Sequence, residues 1–381
     1  MKIPYAKVDC SGNELVYIQE VLDGGWLTTA SKAKELEKKF ESILGIKYAL
    51  AVNSCTSALH LALESIGIGQ GDKVLVPSMT FTSTAEVVRY LGADPIFLDV
   101  EYETCLLTTK IVEKGLENHP NVKAVIAVDF AGQPAPPLLD LCHRKSVKLV
   151  IDAAHAFPAR MGNQMVGTLG DITCFSFYAN KTITTGEGGM LTTNNDKIAE
   201  RVRMMRLHGI DRDVWDRFTS EKLSWEYDVK APGFKYNMPD INAAIGLAQL
   251  ERTEEMRSKR QKIAEIYLDN LSGVKGIDLP VSHVPHKDHA WHLFPIVLNE
   301  DAVICRNKII EKLFNDGVGT SVHYKPLHRM SYYRDKYGLN PESLPNTEKI
   351  WKGNFSLPIY SLLTEKDLKY VIEKIKSHLE V

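Results

Sequence analysis

A lysine and an aspartate that close two successive apolar runs are the residues of this 381-residue chain best suited to chemistry. Asp152 ends the run that begins at Val147, and Lys181 follows the run that contains Ser176. Polar groups at the carboxyl ends of buried strands lie where open α/β sheets bind their ligands. An aspartate can keep the pyridine nitrogen of pyridoxal phosphate (PLP) protonated, and a lysine can carry this cofactor as a Schiff base. The two residues therefore predict a PLP site.

Taken singly, both residues have ordinary structural explanations. A lysine after an apolar run is usually a solvated strand end, and an aspartate closing a buried strand is often a helix N-cap. The combination is harder to dismiss, because the glycine-rich segment 186–189 follows the lysine directly. Flexible backbone at that point would let Lys181 swing between cofactor and substrate.

The elements that must position these residues alternate between strands and helices. Near-continuous apolar runs separated by helical patterns favour a mainly parallel sheet that is buried on both faces. Strands are predicted over 48–52, 73–77, 95–99, 122–128 and 147–151, and helices over 57–65 and 82–91. The sequence therefore predicts an α/β fold for the first part of the chain.

The second part predicts a smaller α+β domain from about residue 272. A helical pattern over 240–250, preceded by Pro239 at a position suited to a first helical turn, leads into a charged helix that could bridge two domains. The further elements are strands over 291–298 and 319–323 and helices over 305–316 and 364–379. We expect a large PLP-binding domain over 1–250 and a small C-terminal domain over 251–381. The charged, aromatic, aperiodic segment 211–230 predicts a mobile loop near the site.

Composition limits the class of protein. With 44% apolar and 25% charged residues the chain is typical of a soluble globular protein, and a net charge of -2 gives no electrostatic case for nucleic acid or an anionic membrane. No run approaches the ~20 apolar residues that span a bilayer, and no signal peptide is recognisable. Six scattered cysteines without metal-ligand spacing indicate reduced thiols in the cytoplasm and no metal site.

Several further motifs extend over nearly the whole chain in a fixed order. They lie at 24–29, 53–60, 77–84, 132–134, 207–210, 233–238, 323–328 and 355–360, with the lysine segment between the fourth and the fifth. With this set the chain resembles the DegT/StrS-type (DegT/DnrJ/StrS) nucleotide-sugar aminotransferases. The resemblance implies the PLP-dependent transferase fold of type I, with a mainly parallel sheet in the large domain and a smaller C-terminal α+β domain.

The phosphate of the cofactor needs backbone N–H groups at a helix N-terminus together with hydroxyls. Ser54, Cys55 and Thr56 open the first predicted helix and supply both, although simple helix capping also explains the two hydroxyl residues. Cys55 stands where the family usually has glycine, and Ser176 should add a hydroxyl. By resemblance, Asn237 reaches the phosphate in the neighbouring subunit, which implies a homodimer with shared active sites.

The remaining cofactor contacts follow from the same resemblance. Asp152 should form a salt bridge to the pyridine nitrogen, and Lys181 should be the catalytic residue that moves the substrate proton. By the resemblance Phe81 should stack on the ring, although the local sequence alone favours an ordinary core aromatic. His155 occupies a position, often glutamine in the family, that contacts the ring hydroxyl.

A sugar-nucleotide pocket is expected beside the cofactor. Its candidate residues are Trp26, Thr28, His292, His323, Lys325 and His328. Two histidines and a lysine within 323–328 could meet a diphosphate or sugar hydroxyls, whereas lone histidines are more often structural.

The resemblance implies an aminotransferase that uses L-glutamate and a UDP- or dTDP-linked keto-sugar. Segment 233–238 reads Gly-Phe-Lys-Tyr-Asn-Met, which resembles the enzymes that aminate carbon 4 more than those that aminate carbon 3. The product would serve amino-sugar biosynthesis for lipopolysaccharide, O-antigen, glycan or antibiotic. A PLP sugar dehydratase is an alternative, but those relatives have histidine in place of Lys181. A non-catalytic regulator would be expected to lose Lys181 or Asp152, and this sequence has both. A nicotinamide enzyme would need a G-x-G-x-x-G segment after an early strand, and this sequence has none there.

Overall fold

A seven-stranded sheet forms the centre of the computed structural model, which describes residues 2–210 and 227–379. Its strands are β1 (Tyr48–Val52), β2 (Lys73–Pro77), β3 (Asp94–Leu98), β4 (Val122–Val128), β5 (Lys148–Asp152), β8 (Ile172–Ser176) and β9 (Gly189–Thr193), with the two-residue strands β6 (Arg160–Met161) and β7 (Gln164–Met165) forming a separate hairpin. The order across the sheet is β1-β9-β8-β5-β4-β2-β3. The pairs among β3, β2, β4, β5 and β8 are parallel, and β9 runs antiparallel to both of its neighbours. The prediction of a mainly parallel sheet is confirmed.

Helices cover both faces of this sheet, because its strands are apolar almost throughout. They are α1 (Glu14–Asp23), α2 (Ser31–Leu44), α3 (Cys55–Ser65), α4 (Ser83–Tyr90), α5 (Thr109–Asn118), α6 (Leu139–Arg144), α7 (Asp196–Met205) and α8 (Asp240–Glu251). One core includes Phe40 of α2 and Leu247 of α8, and the other includes Leu59 of α3 and Val202 of α7. The two cores lie on opposite faces, so the strand ends are the part of the sheet left open to a ligand.

A second, three-stranded antiparallel sheet lies in the C-terminal part. It consists of β10 (Ile277–Asp278), β11 (Phe294–Leu298) and β12 (Asn354–Leu357), in that order. The accompanying helices are α9 (Thr253–Leu271), α10 (Arg306–Asn315), α11 (Ser331–Tyr337), α12 (Pro345–Gly353) and α13 (Glu365–Leu379). The boundary between two domains at residue 250 stays a prediction.

The strand predicted over 319–323 is wrong. That segment makes only isolated bridges, in which Val318 pairs with Ile3 and Ser321 pairs with Ser356. Ile3 is 1% exposed and belongs to the core of the small sheet, so the start of the chain packs against its C-terminal part.

Helix α9 confirms the predicted charged helix but buries part of its charge. Arg257 and Arg260 are buried together with the apolar Ile263 and Tyr267. Within residues 2–210 and 227–379, no helix is both long enough and apolar enough to cross a membrane. The predicted mobile loop over 211–230 falls mostly on residues 211–226, which lie outside the described residues.

Candidate active site

Asp152 and Lys181 meet at the carboxyl edge of the large sheet. Asp152 is the last residue of β5, and Lys181 lies in the loop that follows Ser176, the last residue of β8. Strands β5 and β8 are parallel neighbours, so their carboxyl ends lie side by side. The strand order therefore places the carboxylate and the amine in one site.

Asp152 is a buried carboxylate, 4% exposed, with only neutral hydrogen-bond donors around it in the described chain. The hydroxyl of Thr84 donates to Oδ2 at 2.8 Å, the N–H of Ala154 donates to Oδ1 at 3.2 Å, and the Cys55 thiol lies 4.0 Å from Oδ1. Burial raises the pKa of Asp152, while these donors and the charge of Lys181 oppose that rise. A protonated pyridine nitrogen would supply the positive partner that a buried carboxylate requires, so Asp152 fits the cofactor.

Lys181 is an amine in a largely apolar setting. Burial lowers its pKa from 10.5 to about 8, against the opposing influence of Cys55 and Asp152. Its Nζ lies 3.5 Å from Nε2 of His292. A lysine with a depressed pKa is partly neutral near physiological pH, which is the form that attacks an aldehyde.

The pKa of Lys181 predicts how uptake of PLP depends on pH. Because the neutral fraction of an amine grows as pH rises through its pKa, the rate constant for PLP binding to the cofactor-free protein should increase up to about pH 8 and level off above it. Stopped-flow absorbance over a pH series measures this rate. A midpoint near 10.5, the ordinary value for lysine, would contradict the prediction.

The N-terminus of helix α3 lies at the same edge. Ser54 is its N-cap, and Oγ of Ser54 accepts the N–H of Ser57 at 3.0 Å. The capping explanation is therefore correct for the Ser54 hydroxyl, while the first N–H groups of the helix, at Cys55 and Thr56, have no partner inside the helix. Helix N-termini with such free N–H groups bind phosphate.

Two further features shape this end of helix α3. A Cβ on Gly189 would lie 2.5 Å from the carbonyl carbon of Ser54, so β9 and the start of α3 can approach this closely only with glycine there. The hydroxyl of Ser176 accepts the N–H of Tyr178 at 3.3 Å and is half-buried beside the lysine loop.

A buried cluster of rings lies beside Lys181. Nε2 of His155 is 3.0 Å from the hydroxyl of Tyr324, and the ring centroids of His155 and His292 are 4.6 Å apart. Within residues 2–210 and 227–379, Nδ1 of each histidine is buried and has no hydrogen-bond partner. Burial, reinforced by the charge of Lys181, lowers the pKa of both histidines well below the usual range. Both rings are therefore neutral.

Phe81 differs from an ordinary core aromatic. Its side chain is 56% exposed, and its ring centroid lies 5.9 Å from that of the half-buried Tyr324. A large aromatic residue left open at the edge of a buried cluster can cover a planar ligand. The stacking role of Phe81 stays a prediction.

The N-terminal candidates gather around Asn237. This residue bridges to Val52, at the end of β1, and its Nδ2 donates to the hydroxyl of Thr29 at 2.6 Å. The indole of Trp26 lies 3.4 Å from the carbonyl oxygen of Thr29, and Thr28 is exposed. Segment 26–29 thus lies against Asn237, which itself bridges to the strand that leads into helix α3.

The C-terminal candidates divide into different environments. His323 lines a cavity of about 440 Å³ between the two sheets and bonds through Nδ1 to Ser356 at 2.8 Å. Lys325 is exposed. His328 is 1% exposed, and its nitrogens bond to Ser78 at 2.6 Å and to Glu348 at 2.7 Å, so no ring nitrogen remains for a ligand. The structure brings His292 and His323 toward Lys181 and gives His328 a structural environment.

Three residues of the site were not predicted from the sequence. Thr84 binds Asp152, Tyr324 binds His155, and Arg260 donates to the carbonyl oxygens of Trp291, His292 and Ile359 at 3.3, 3.4 and 2.8 Å. Thr84 and Tyr324 lie within the family motifs 77–84 and 323–328, and nothing else in the sequence pointed to them. Arg260 had no signal, because a charged helix is expected to face solvent.

Replacing Thr84 with valine is expected to weaken PLP binding about tenfold to a hundredfold, because a hydrogen bond to a charged group contributes roughly 1.5–3 kcal/mol. The dissociation constant of PLP, measured by absorbance titration, checks this. Thr173→Val is the matched control, since the Thr173 hydroxyl is buried with no partner in the part of the chain that the structure describes, and its loss should leave binding unchanged. Equal constants for Thr84→Val and the natural protein would contradict the prediction.

The fold and site together define a PLP-dependent enzyme of fold type I. A model of the DegT/DnrJ/EryC1/StrS aminotransferase family matches residues 9–376, and the chain belongs to that family. It is similar to the spore coat polysaccharide biosynthesis protein SpsC of Bacillus subtilis, with 38% identity over 378 residues, 98% of this chain and 96% of SpsC.

Solved structures agree with this assignment. Spr1654 of Streptococcus pneumoniae, assigned as a sugar aminotransferase and solved in PLP and PMP forms, superposes with a TM-score of 0.91 at 28% identity, over 100% of this chain and 99% of that chain. PseC of Helicobacter pylori, an aminotransferase of pseudoaminic acid biosynthesis, has a TM-score of 0.91 at 26% identity over the full length of both chains. The protein is a sugar aminotransferase, and its cofactor is PLP.

Proposed function

We propose that this enzyme transfers the amino group of L-glutamate to a nucleotide-linked 4-keto-sugar. The observation that carries the chemistry is the meeting of Lys181, with a pKa of about 8, and the buried Asp152 at the edge of one sheet. The sugar is supported by the family and by the named roles of SpsC in spore coat polysaccharide and of PseC in pseudoaminic acid biosynthesis.

Each residue of the proposed site has its own role. Lys181 holds the cofactor through Nζ, and after release it accepts the proton from the substrate carbon and delivers it again. Asp152 keeps the pyridine nitrogen protonated, which makes the bound cofactor an electron sink. The helix N-terminus at Cys55 and Thr56, with the Ser176 hydroxyl, binds the phosphate.

The sugar-nucleotide is proposed to lie on the open side of Phe81. His292 lies within 3.5 Å of the Lys181 amine, so a substrate carbon at that amine also meets the imidazole. Lys325 is exposed and suits a diphosphate, while Trp26 and Thr28 would approach from segment 26–29. Amination at carbon 3 is the alternative that the same pocket allows.

We also propose a cytoplasmic homodimer in which Asn237 contacts the phosphate held by the partner subunit. Its amide is already ordered, since Lys235 donates to Oδ1 at 2.5 Å and Nδ2 donates to Thr29. Asn237→Ala is expected to weaken PLP binding, whereas Asn270→Ala, at an exposed position of α9, should have no effect.

Mixed dimers test this sharing of sites directly. When Lys181→Ala and Asn237→Ala chains are refolded together, shared sites put both defects in one site and leave the other intact, so activity should reappear. Mixtures no more active than the separate variants would show that Asn237 serves only its own chain.

The proposed reaction is tested in its two halves. Adding L-glutamate to the PLP-loaded enzyme should shift the visible absorbance toward the near-ultraviolet, and adding a keto-sugar should restore it. A panel of UDP- and dTDP-linked 4-keto and 3-keto sugars, with products identified by mass spectrometry and NMR, locates the amine. Amination of the 3-keto sugars alone would overturn the carbon 4 assignment, and no response to any sugar would overturn the substrate class.

A further inference from the structure

The hydroxyl of Tyr324 determines which nitrogen of His155 carries the proton. Both groups are inside the ring cluster, and the hydroxyl is 3.0 Å from Nε2. Among the described residues this hydroxyl has no second hydrogen-bond partner. If Nε2 donated to the hydroxyl, the O–H of the half-buried Tyr324 would lack an acceptor among the described residues, which costs free energy. Tyr324 is therefore the donor and Nε2 is the acceptor.

The protonation state of the two groups supports this direction. Burial raises the pKa of Tyr324, so the phenol keeps its proton, and burial lowers the pKa of His155, so its ring is neutral. A neutral imidazole has one N–H. Because Nε2 accepts, the proton of His155 must be on Nδ1.

Nδ1 of His155 is thus a buried donor that lacks an acceptor in the described chain. Buried donors are rarely left without a partner in a folded protein. A bound ligand with an acceptor at that point would complete the site, and His155 lies three residues after Asp152 and beside His292, which contacts Lys181.

The chemistry of PLP supplies such an acceptor. In the proposed site Asp152 would hold the pyridine nitrogen, and Lys181 would bond to the aldehyde carbon carried by the ring carbon opposite that nitrogen. The ring hydroxyl is on the carbon next to that attachment point, so an acceptor oxygen lies close to the lysine side of the cluster. We propose that Tyr324 is a positioning residue, which fixes the tautomer of His155 so that Nδ1–H donates to the ring oxygen of the cofactor.

This proposal rests on the proposed function and extends it to a residue of the C-terminal part of the chain. It predicts a spectroscopic effect. A donor on the ring oxygen stabilises the negative charge that grows there when the nitrogen joining Lys181 to the cofactor loses its proton, so the donor lowers the pH of that transition. The titratable groups that face His155 are Lys181, His292, His323 and Tyr324.

The test is a pH titration of the visible absorbance of the PLP-loaded enzyme. Tyr324→Phe removes the hydroxyl that donates to Nε2, so the proton of His155 is no longer held on Nδ1. The donor to the ring oxygen is then lost, and the midpoint of the absorbance titration should rise by about one pH unit. Tyr267→Phe is the matched control. The Tyr267 hydroxyl donates to the carbonyl oxygen of Pro358, and Tyr267 belongs to the core of the small sheet. If Tyr324→Phe does not fold, Tyr324→Leu removes the same hydroxyl.

A double-mutant cycle separates this role from a general structural one. In a His155→Phe enzyme the donor is already absent, so adding Tyr324→Phe should cause no further shift. An unchanged midpoint in Tyr324→Phe, or a shift that persists without His155, would overturn the proposal while leaving the aminotransferase assignment intact. Absence of any visible band in the natural protein with PLP would overturn the proposed site itself.

Discussion

Lys181→Ala is expected to lower the rate of amino transfer by at least about a thousandfold. The lysine has two roles in the proposed site, because it holds the cofactor covalently and moves the substrate proton. Loss of its amine should remove the visible absorbance of the bound cofactor and stop the response to L-glutamate. Steady-state turnover and an absorbance spectrum of the purified variant measure the two roles separately.

The fold should survive this change, since alanine at 181 removes no hydrogen bond of the backbone. The backbone N–H of Lys181 donates to the carbonyl oxygen of Tyr178 at 3.0 Å, and alanine keeps this bond. Lys123→Ala is a suitable control, because Lys123 is an exposed lysine on β4. Retained amino transfer in Lys181→Ala, with a normal circular dichroism spectrum, would disprove the assignment of the catalytic residue.

Asp152→Asn is expected to produce the second largest loss. Asparagine keeps the size of the side chain and can still accept from Thr84, but it carries no charge for the pyridine nitrogen. Removing one partner of a buried ion pair costs roughly 3–5 kcal/mol, which corresponds to a loss of about a hundredfold to several thousandfold in affinity. Titration of the cofactor-free variant with PLP measures that loss, and turnover should fall with it.

Asp171→Asn provides the comparison. Asp171 is also a hydrogen-bonded aspartate, since it accepts from the N–H of Leu149 at 2.9 Å and from Lys148, but it precedes β8 and lies at the opposite edge of the sheet. Its substitution should reduce stability without changing the PLP dissociation constant. Similar PLP affinity in the two variants would show that Asp152 does not hold the cofactor.

Local signals predicted much of the large sheet from the sequence. The predicted strands over 48–52, 73–77 and 122–128 have the observed bounds, because mostly apolar runs are followed by polar residues. The strand that ends in Asp152 was shifted by one residue, since the aspartate itself pairs with Val128. The same local patterns were sufficient to single out Asp152 and Lys181.

Contacts between distant segments could not be predicted in this way. Tyr324 reaches His155 only because the C-terminal part of the chain folds back onto the edge of the large sheet. Arg260 is surrounded by charged residues in sequence, yet its side chain is 5% exposed and donates to three carbonyl oxygens. The composition of a helix reveals neither which of its charges will be buried nor what they will bind.

The parallel bridge between Ile3 and Val318 also has a consequence for biosynthesis. Ile3 donates to the carbonyl oxygen of Gly317 and accepts the N–H of Gly319, so its partners are synthesised long after it. Ile3 therefore leaves the ribosome well before it can be paired. Contacts of such long sequence separation form slowly. The core of the small sheet is therefore completed only after translation has passed Val318, and Ile3 stays unpaired in the growing chain until then.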